Sequence, residues 1–300
     1  MNFNQYLKVI LPKRLWSFLR ERVIICKHRK IATIAEKLVK NCNSAKLDIV
    51  RKVDIPNDKL VIWQYWAQGY GKDKLPPLVS ICLDSVEKYA ASKYTIIRLS
   101  DANLSQYIDI PDWLLIKRSS MTIAHFADIL RCMLLSIYGG LWLDATCLLT
   151  GSLPKYLFES EFFMYQRDPN ETNKEYWKHT FAYYFGWSKG FRVNVLIGIM
   201  YAKAGNKVIS DICLMLMEFW KKNNEIPDYF FFQILFDVYI KRYPELNCPI
   251  YSDCTPHLLR QIINGLPLIE DVNKVKEKTS LHSLNYKNPQ AVDRLREILS

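Results

Sequence analysis

Four polar residues in the middle of the chain have types and a spacing suited to binding a charged ligand. His125, Asp128 and Arg131 are three residues apart, so in a helix they share one face. Asp144 follows the apolar stretch 141–143. A carboxylate at a strand end, beside an acid and a guanidinium, can bind a divalent cation and a phosphate group. The alternative is an ordinary Asp–Arg pair on a helix surface, which stabilises a helix by only about 0.5 kcal/mol.

The elements around these residues decide whether they meet. Segment 121–138 carries the strongest helical pattern, with Thr122 or either serine shortly before it as the capping residue and Gly139-Gly140 as the stop. Segment 141–146 is too short and too β-like to continue the helix. Asp144 is therefore expected at or just past the carboxyl end of a strand, which is the edge where open α/β sheets bind ligands.

The rest of the chain predicts an α/β domain. Strands are expected at 59–66 and 94–99, a helix from Pro76-Pro77 to about Ala91, and a short helix before Pro111. Farther on, 162–167 and 181–187 are predicted strands, helical patterns dominate 193–243, and short pieces close the chain. A boundary near residue 55 separates a basic helical region, 1–54, from a domain spanning 55–300.

Charge and composition limit the function classes. The net charge of +11 is concentrated in residues 1–40, which hold ten Lys and Arg against two acids. A basic amphipathic helix there can attach to an anionic membrane surface or pack on the main domain, and both readings stay open. Nucleic acid is disfavoured as a partner, because the segment has no recognised binding motif. Eight cysteines without a CxxC pair, mostly among apolar residues, predict buried free thiols in a cytoplasmic protein.

The central segments also resemble a known family. His125-Phe-Ala-Asp-Ile-Leu-Arg131 followed by Tyr138-Gly-Gly-Leu-Trp-Leu-Asp-Ala-Thr146 resembles the signature of the capsular polysaccharide synthesis proteins, relatives of transferases with a sugar-binding region containing DXD. Ile62-Trp-Gln-Tyr-Trp66 and Arg98-Leu-Ser-Asp101 resemble that family's first two strands. The resemblance is strong over 58–155 and looser elsewhere. It implies a GT-A-like (Rossmann-like) α/β fold with a central mixed, mainly parallel sheet and an N-terminal helical segment. Such proteins bind a nucleotide-diphospho-sugar, usually with Mn²⁺ or Mg²⁺, and pass the sugar to a growing glycan.

The resemblance also implies roles for individual residues. Asp144 would anchor the metal and, with Asp128, is the catalytic candidate, while Arg131 would orient Asp128 or approach a phosphate. The late segment 282–287 resembles a His…Lys element that touches metal and diphosphate, which adds His282 as a metal ligand. The residues implied for donor binding are Trp63, Gln64, Tyr65, His125, Asp128, Arg131, Gly140, Asp144, Ala145, Thr146 and Lys287.

One departure from the family pattern bears on the metal. Thr146 stands where the second acid of Asp-x-Asp is expected, so this motif alone cannot form a two-carboxylate clamp. Mg²⁺ keeps several waters and needs only one or two protein carboxylates plus phosphate oxygens, so one aspartate is enough in principle. Metal dependence is open at this point.

Two functions from different classes follow. The first is a cytoplasmic glycosyltransferase, peripheral on the inner face of the plasma membrane, that extends a capsular or other surface polysaccharide on a lipid-linked acceptor. The second is a catalytically silent sugar-nucleotide or glycan-binding subunit of an assembly complex, which the missing second acid motivates. Hydrolase, P-loop and zinc-enzyme signatures are absent from the sequence.

Overall fold

A computed structural model describes residues 12–42, 49–56, 59–267 and 269–299. The strands are β1 Val61–Tyr65, β2 Thr95–Leu99, β3 Gly140–Leu143, β4 Cys147–Leu149, β5 Phe162–Gln166, β6 Val195–Ala202 and β7 Leu281–Ser283. The helices are α1 Lys13–Asn41, α2 Pro77–Ala90, α3 Asp112–Lys117, α4 Ile123–Tyr138, α5 Lys174–Thr180, α6 Lys207–Lys222, α7 Phe231–Arg242, α8 Leu258–Ile263, α9 Val272–Lys278 and α10 Gln290–Leu299.

The central sheet is mixed. Within the described ranges it has five strands in the order β2-β1-β3-β6-β5. β1 pairs in parallel with β2 and β3, whereas β6 pairs antiparallel with β3 and β5. Four strands therefore point the same way and β6 runs against them, which confirms the predicted mixed, mainly parallel sheet. β4 and β7 form a separate antiparallel pair beside it.

A diglycine makes the connection between α4 and β3. Gly139 ends the helix at φ 69°, and its N–H donates to the carbonyl of Leu135 at 3.0 Å. Gly140 has φ 103°, and a Cβ there would lie 2.5 Å from the carbonyl oxygen of Val61 in β1. Only glycine suits both the backbone conformation and this close approach. The connection thus fixes the polar face of α4 relative to the end of β3.

Helices cover both faces of the sheet. On one face, Trp63, Trp142 and Met200 belong to a large buried cluster shared with α1, α4, α6 and α7. On the other, Ile62, Leu141 and Phe163 pack with α2 and with the segment after β3. Because alternate residues of a strand point to opposite faces, this double burial explains the nearly continuous apolar runs of β1 and β3.

The basic N-terminal segment is a helix packed on the domain. Ile24, His28, Ile31 and Ala35 of α1 are buried at helical spacing against α7 and its surroundings. This confirms one of the two readings of the segment for residues 13–41, while residues 1–11 lie outside the described part. Whether 1–54 and 55–300 are separate folding units stays a prediction.

One downstream prediction is wrong, and the helical prediction for 193–243 holds for α6 and α7 but not for the first part of that stretch. Segment 181–187 is not a strand, because its aromatic rings pack around the guanidinium of Arg167 instead of joining the sheet. The missing strand is β6, inside the stretch predicted to be helical. Its apolar sequence is nearly continuous, and such a run cannot be told from a buried helix by periodicity. The predicted short helix before Pro111 is reduced to a 3-10 turn at Leu104–Gln106.

The cysteine prediction can be compared with the structure directly. All eight cysteines are free and six are buried, which confirms that most are buried thiols. None of the helices in the described ranges combines the length and the apolar character needed to cross a bilayer.

Candidate functional site

Asp144 is the first residue after β3, as predicted. Its N–H donates to the carbonyl of Gly198 in β6 at 2.8 Å. Its Oδ1 accepts a hydrogen bond from the indole N–H of Trp142 at 2.7 Å and lies 3.5 Å from Nη1 of Arg131. The side chain is nevertheless 40% exposed. One carboxylate oxygen is therefore fixed by protein groups, while the other, Oδ2, has no hydrogen-bond partner among the described residues.

Arg131 holds this carboxylate from the buried side. Its Nη2 lies 3.2 Å from Oδ1 of Asp128, and its Nη1 reaches Asp144 and donates to the carbonyl of Ile197. Its Nε donates to the carbonyl of Ala127 at 3.1 Å. The guanidinium is only 5% exposed, and all of its nitrogens face protein groups. Of the two roles considered for Arg131, the geometry favours orienting the carboxylates over contacting a phosphate.

Asp128 is buried and electrostatically unusual. Burial raises the pKa of its carboxyl group from 3.8 to about 7; the nearby charge of Arg131 opposes this rise and that of Asp144 adds to it. The Asp128 side chain is 9% exposed, so the Asp–Arg pair is not the solvated surface pair considered as the alternative. A carboxyl group whose pKa is strongly shifted by burial and by specific charged neighbours is a candidate functional group.

The raised pKa predicts a pH dependence. Because burial raises the Asp128 pKa to about 7, the ionised carboxylate forms only as the pH rises through that value, and this is the form that the family resemblance predicts to accept hydrogen bonds from donor hydroxyl groups. We expect kcat/KM for the donor to rise with pH through about 7, since this parameter reports the free enzyme. In Asp128→Asn this rise of kcat/KM with pH should disappear. The KM for the donor should be raised, while kcat should be nearly unchanged. If kcat/KM of Asp128→Asn still rises with pH through about 7, another group is responsible for the titration.

His125 is a buried residue in the first turn of α4, on the same helix face as Asp128. Its Nδ1 is 2.9 Å from the hydroxyl of Thr122, which caps α4, and its Nε2 is buried without a hydrogen-bond partner in the described structure. Its ring centroid lies 5.8 Å from that of Tyr229, which is 63% exposed. Partial desolvation, together with the charges of Asp128 and Asp144, raises the pKa of the Tyr229 phenol. Tyr229 therefore lies beside His125 and within electrostatic range of Asp144.

The three residues of β1 implied for donor binding are parts of the interior. Trp63 is fully buried and its indole N–H donates to the carbonyl of Gly139 at 2.9 Å, which supports the diglycine connection. Gln64 is also fully buried. The hydroxyl of Tyr65 donates a hydrogen bond to Oδ1 of Asp101, with 2.5 Å between the two oxygens. All three belong to β1, which pairs with β3 in the sheet. Direct contact between these residues and a donor stays a prediction.

Ala145 and Thr146 form the turn after Asp144. Ala145 is buried against Val79 and Leu83 of α2, and the carbonyl of Thr146 accepts from the N–H of Leu284. This last bond ties the C-terminal segment to the turn. Gly140, which was also implied for donor binding, lies at the opposite end of β3 from Asp144.

The two residues of the late His…Lys element lie in different environments, one buried and one on the surface. His282 is fully buried in β7, its Nε2 lies 3.0 Å from the hydroxyl of Thr150, and burial lowers its pKa to about 3. No contact with Asp144 is formed within the described structure, so the geometry gives no support to a metal shared by these two residues. Lys287 lies on the surface. Within the same residues, no group of three or more His, Cys, Asp or Glu side chains is placed to hold a metal ion.

Three site residues escaped the sequence analysis. Trp142 had a usable signal, because it lies two residues before Asp144 and side chains two apart on a strand share a face. Gly198 and Tyr229 had none, since β6 was not recognised and Tyr229 lies outside any motif. They reach Asp144 only through the tertiary fold.

The comparison with protein families agrees with the resemblance of the central segments. Residues 15–298 match the family described as capsular polysaccharide synthesis protein. No match exists among curated proteins. Among solved structures, the chain is similar to one titled "PaToxG Glycosyltransferase", with 14% identity, 87% of this chain and 93% of that chain covered, and a TM-score of 0.34. Since the family match extends over nearly the whole sequence, this chain belongs to the capsular polysaccharide synthesis protein family.

Proposed function

We propose that this protein is a glycosyltransferase of the GT-A kind, which moves a sugar from a nucleotide-diphospho-sugar to a growing capsular or other surface polysaccharide. The observation that carries the proposal is the carboxylate of Asp144, half-exposed at the carboxyl edge of β3 and fixed by Trp142 and Arg131. Family membership supports the same conclusion.

The site suits the charge that develops in such a transfer. When the bond between the sugar and the diphosphate breaks, negative charge grows on the leaving oxygen, and a bound divalent cation would offset it as a Lewis acid. Asp144 fits such a cation as one ligand beside diphosphate oxygens, because its Oδ2 is unbonded and the absent side chain of Gly198 leaves room next to it. Arg131 keeps the Asp144 carboxylate in this orientation. Asp128, when ionised, accepts hydrogen bonds from donor hydroxyl groups.

A screen for donors tests this proposal. The purified protein is incubated with a panel of UDP-, GDP- and CMP-sugars, with Mn²⁺, with Mg²⁺ and with a chelator, and the products are identified. We expect release of a nucleoside diphosphate from one donor, at a higher rate with a metal. Binding of a donor without turnover under any condition would favour the alternative, a silent sugar-nucleotide-binding subunit, which Thr146 in the place of the second acid motivates.

We further propose that the acceptor is lipid-linked and that α1 attaches the enzyme to the anionic inner face of the plasma membrane. Leu15, Phe18, Leu19 and Val23 form an exposed apolar stripe on the helix, opposite its packed face. The guanidinium of Arg22 lies 5.0 Å from the ring centroid of Phe18, so cationic and apolar groups are presented together. Such surfaces bind anionic bilayers in the plane of the interface.

The same helix also contacts the loop residues next to the site. Nζ of Lys27 lies 2.5 Å from Oδ2 of Asp228, the residue before Tyr229, and Glu21 accepts a hydrogen bond from Ser188. A membrane-bound α1 would therefore hold the space in front of Asp144 close to the bilayer surface, where a lipid-linked acceptor is presented.

Replacing two residues of the stripe tests the membrane contact. Burying a side chain such as Phe or Val is worth about 1.5–3 kcal/mol, so Phe18→Ser with Val23→Ser should weaken binding to vesicles that contain anionic phospholipid by at least about tenfold. Sedimentation with such vesicles measures it, and donor hydrolysis should be retained. Ile116→Ser, which removes a 76% exposed apolar residue from α3, is the matched control. Unchanged sedimentation of the double variant would argue against this surface.

A further inference from the structure

A second cleft lies on the β5 side of the sheet. Its volume is about 410 Å³, and it is bounded by the carboxyl end of β5, by the segment 186–194 that precedes β6, and by α7. Its walls combine aromatic rings with amide and charged groups, contributed by Gln166, Trp187, Phe191, Asn194, Phe236 and Asp237. Ligand-binding clefts have volumes of roughly 300–1,000 Å³ and this kind of lining, in which a few fixed polar groups interrupt apolar and aromatic surface.

The polar groups of this cleft are held in place by the protein. The side chain of Asp237 is only 5% exposed, and it accepts hydrogen bonds from Nη1 of Arg192 at 2.9 Å and from Nδ2 of Asn194 at 3.0 Å. The amide nitrogen of Asn194 is thereby used, whereas its Oδ1 has no hydrogen-bond partner among the described residues. Because the amide is already fixed, this oxygen can accept a hydrogen bond from a ligand with little further loss of side-chain freedom.

Trp187 gives the cleft a fixed aromatic ring. Its indole N–H donates to the carbonyl of Asp168 at 2.8 Å, and the guanidinium carbon of Arg167 lies 4.8 Å from its ring centroid. Arg167 is itself buried and donates to both carboxylate oxygens of Asp253. The N–H of Trp187 is therefore used by the protein, and the ring surface is what remains for a ligand. A pyranose ring presents C–H groups to such a surface and hydroxyl groups at its edge, so a ring beside a free amide oxygen is complementary to a sugar.

The register of the sheet places the cleft on the same edge as Asp144. Asp144 is hydrogen-bonded to Gly198 of β6, whereas Gln166, the last residue of β5, pairs with Val195. Val195 and Gly198 are three residues apart on one strand, which corresponds to about 10 Å. In the strand order β2-β1-β3-β6-β5, the β1 residues implied for donor binding and this cleft are on opposite sides of Asp144. The cleft is thus next to the proposed transfer site and away from its donor side.

The wall of the cleft also contacts α1, the helix proposed to lie on the membrane. The hydroxyl of Ser188 donates to Oε1 of Glu21 at 2.6 Å, and the backbone N–H of Arg192 donates to Nδ1 of His28 at 3.2 Å. The ring centroids of His28 and Phe191 are 4.9 Å apart. The cleft therefore lies between α1 and the edge of the sheet that carries Asp144, where a glycan with its lipid end in the bilayer would pass.

We propose that this cleft binds a sugar residue of the growing polysaccharide, with its ring packed on Trp187 and a hydroxyl group bonded to Asn194, which Asp237 holds in place. The identification of this sugar as part of the acceptor rests on the proposed function. The sugar-binding cleft itself does not depend on it.

Binding of polysaccharides in the absence of a donor tests the cleft directly. The whole chain is applied to an array of purified bacterial capsular and other surface polysaccharides, and oligosaccharides cut from the one that wild type binds most strongly are titrated by isothermal titration calorimetry. We expect Trp187→Ala to lower the affinity at least about tenfold, because the ring is lost. Trp187→Phe should stay within about threefold of the wild type, because it keeps a flat ring although it loses the bond to Asp168.

The matched control is Trp113→Ala. Trp113 is a half-buried tryptophan on α3 with Nζ of Lys221 at 5.4 Å from its ring centroid, so its replacement removes a similar indole away from the cleft. The affinity should be unchanged in this variant. All titrations are run below the lowest Tm of the set, and Trp187→Leu, which keeps apolar contact with Arg167 without a flat ring, takes the place of an Ala variant that does not fold.

Four results would each overturn the proposal: equal affinity in wild type and Trp187→Ala or its Leu substitute, an equal loss in Trp187→Phe, an equal loss in Trp113→Ala, or no binding of any polysaccharide by the wild type. Failure of the proposed function appears separately. It would be seen as a wild type that binds a polysaccharide through Trp187 but releases no nucleoside diphosphate from any sugar nucleotide.

Discussion

Replacing Asp144 by Asn should lower donor turnover by at least about a hundredfold, the scale of losing one preorganised electrostatic contact to a reacting group. Asn keeps the size of the side chain, and its oxygen can still accept the hydrogen bond from the indole of Trp142. What it removes is the negative charge on a carboxylate that is both fixed by protein groups and open to a ligand. The expected loss is in kcat, measured as nucleoside diphosphate released from the donor that the screen identifies.

The matched control for this change is Asp211→Asn. Asp211 is also a carboxylate paired with a cation, with Nζ of Lys207 at 2.8 Å, and it accepts the hydroxyl hydrogen bond of Tyr239 at 2.6 Å. Its side chain is buried in α6, outside the site. We expect Asp211→Asn to lower the free energy of unfolding while kcat stays near the wild-type value. A near-normal kcat in Asp144→Asn would exclude Asp144 as the catalytic anchor.

The part of the site that the sequence predicts correctly is the part that is local in sequence. The spacing of Asp128 and Arg131 puts both on one face of α4, and the diglycine sends the chain straight into β3, so Asp144 had to follow within a few residues. Helix periodicity, capping and the steric demands of two glycines were enough to fix this arrangement. The family resemblance depends on the same continuous segment.

The sequence could not show which of these polar groups are buried and which face a ligand. Asp128 and Asp144 are both aspartates in apolar sequence surroundings, yet the side chain of one is 9% and that of the other 40% exposed in the fold. His282 gives the reverse case. The family resemblance implied a metal ligand at this position, but His282 is completely buried in β7, which pairs with β4. Burial of this kind arises from contacts between distant segments, which no local pattern encodes.

The position of the Asp144 carboxylate, and not only its charge, should control the rate, and Gly198 offers a way to move it. A Cβ at residue 198 would lie 2.8 Å from Oδ2 of Asp144 and 3.3 Å from its Cγ. Oδ1 is held by Trp142 and Arg131, so the carboxylate has to rotate away from its present aim. Because misplacement of a reacting group by about 1 Å can cost roughly a hundredfold, we expect Gly198→Ala to lower kcat by about ten- to a hundredfold while the protein remains folded.

A double-mutant cycle separates this effect from a general disturbance of β6. If the added methyl group acts by displacing the Asp144 carboxylate, Gly198→Ala should cost little more once Asp144 is already Asn, because the two changes then remove the same interaction. Losses that multiply would show that Gly198 affects the rate through another group. Gly71→Ala is the control for a glycine replacement as such, since a Cβ there meets only the flexible side chain of Lys74 at 3.7 Å. The kcat of Gly71→Ala should equal that of the wild type. If Gly198→Ala also had the wild-type kcat, the orientation of the Asp144 carboxylate would not limit the reaction.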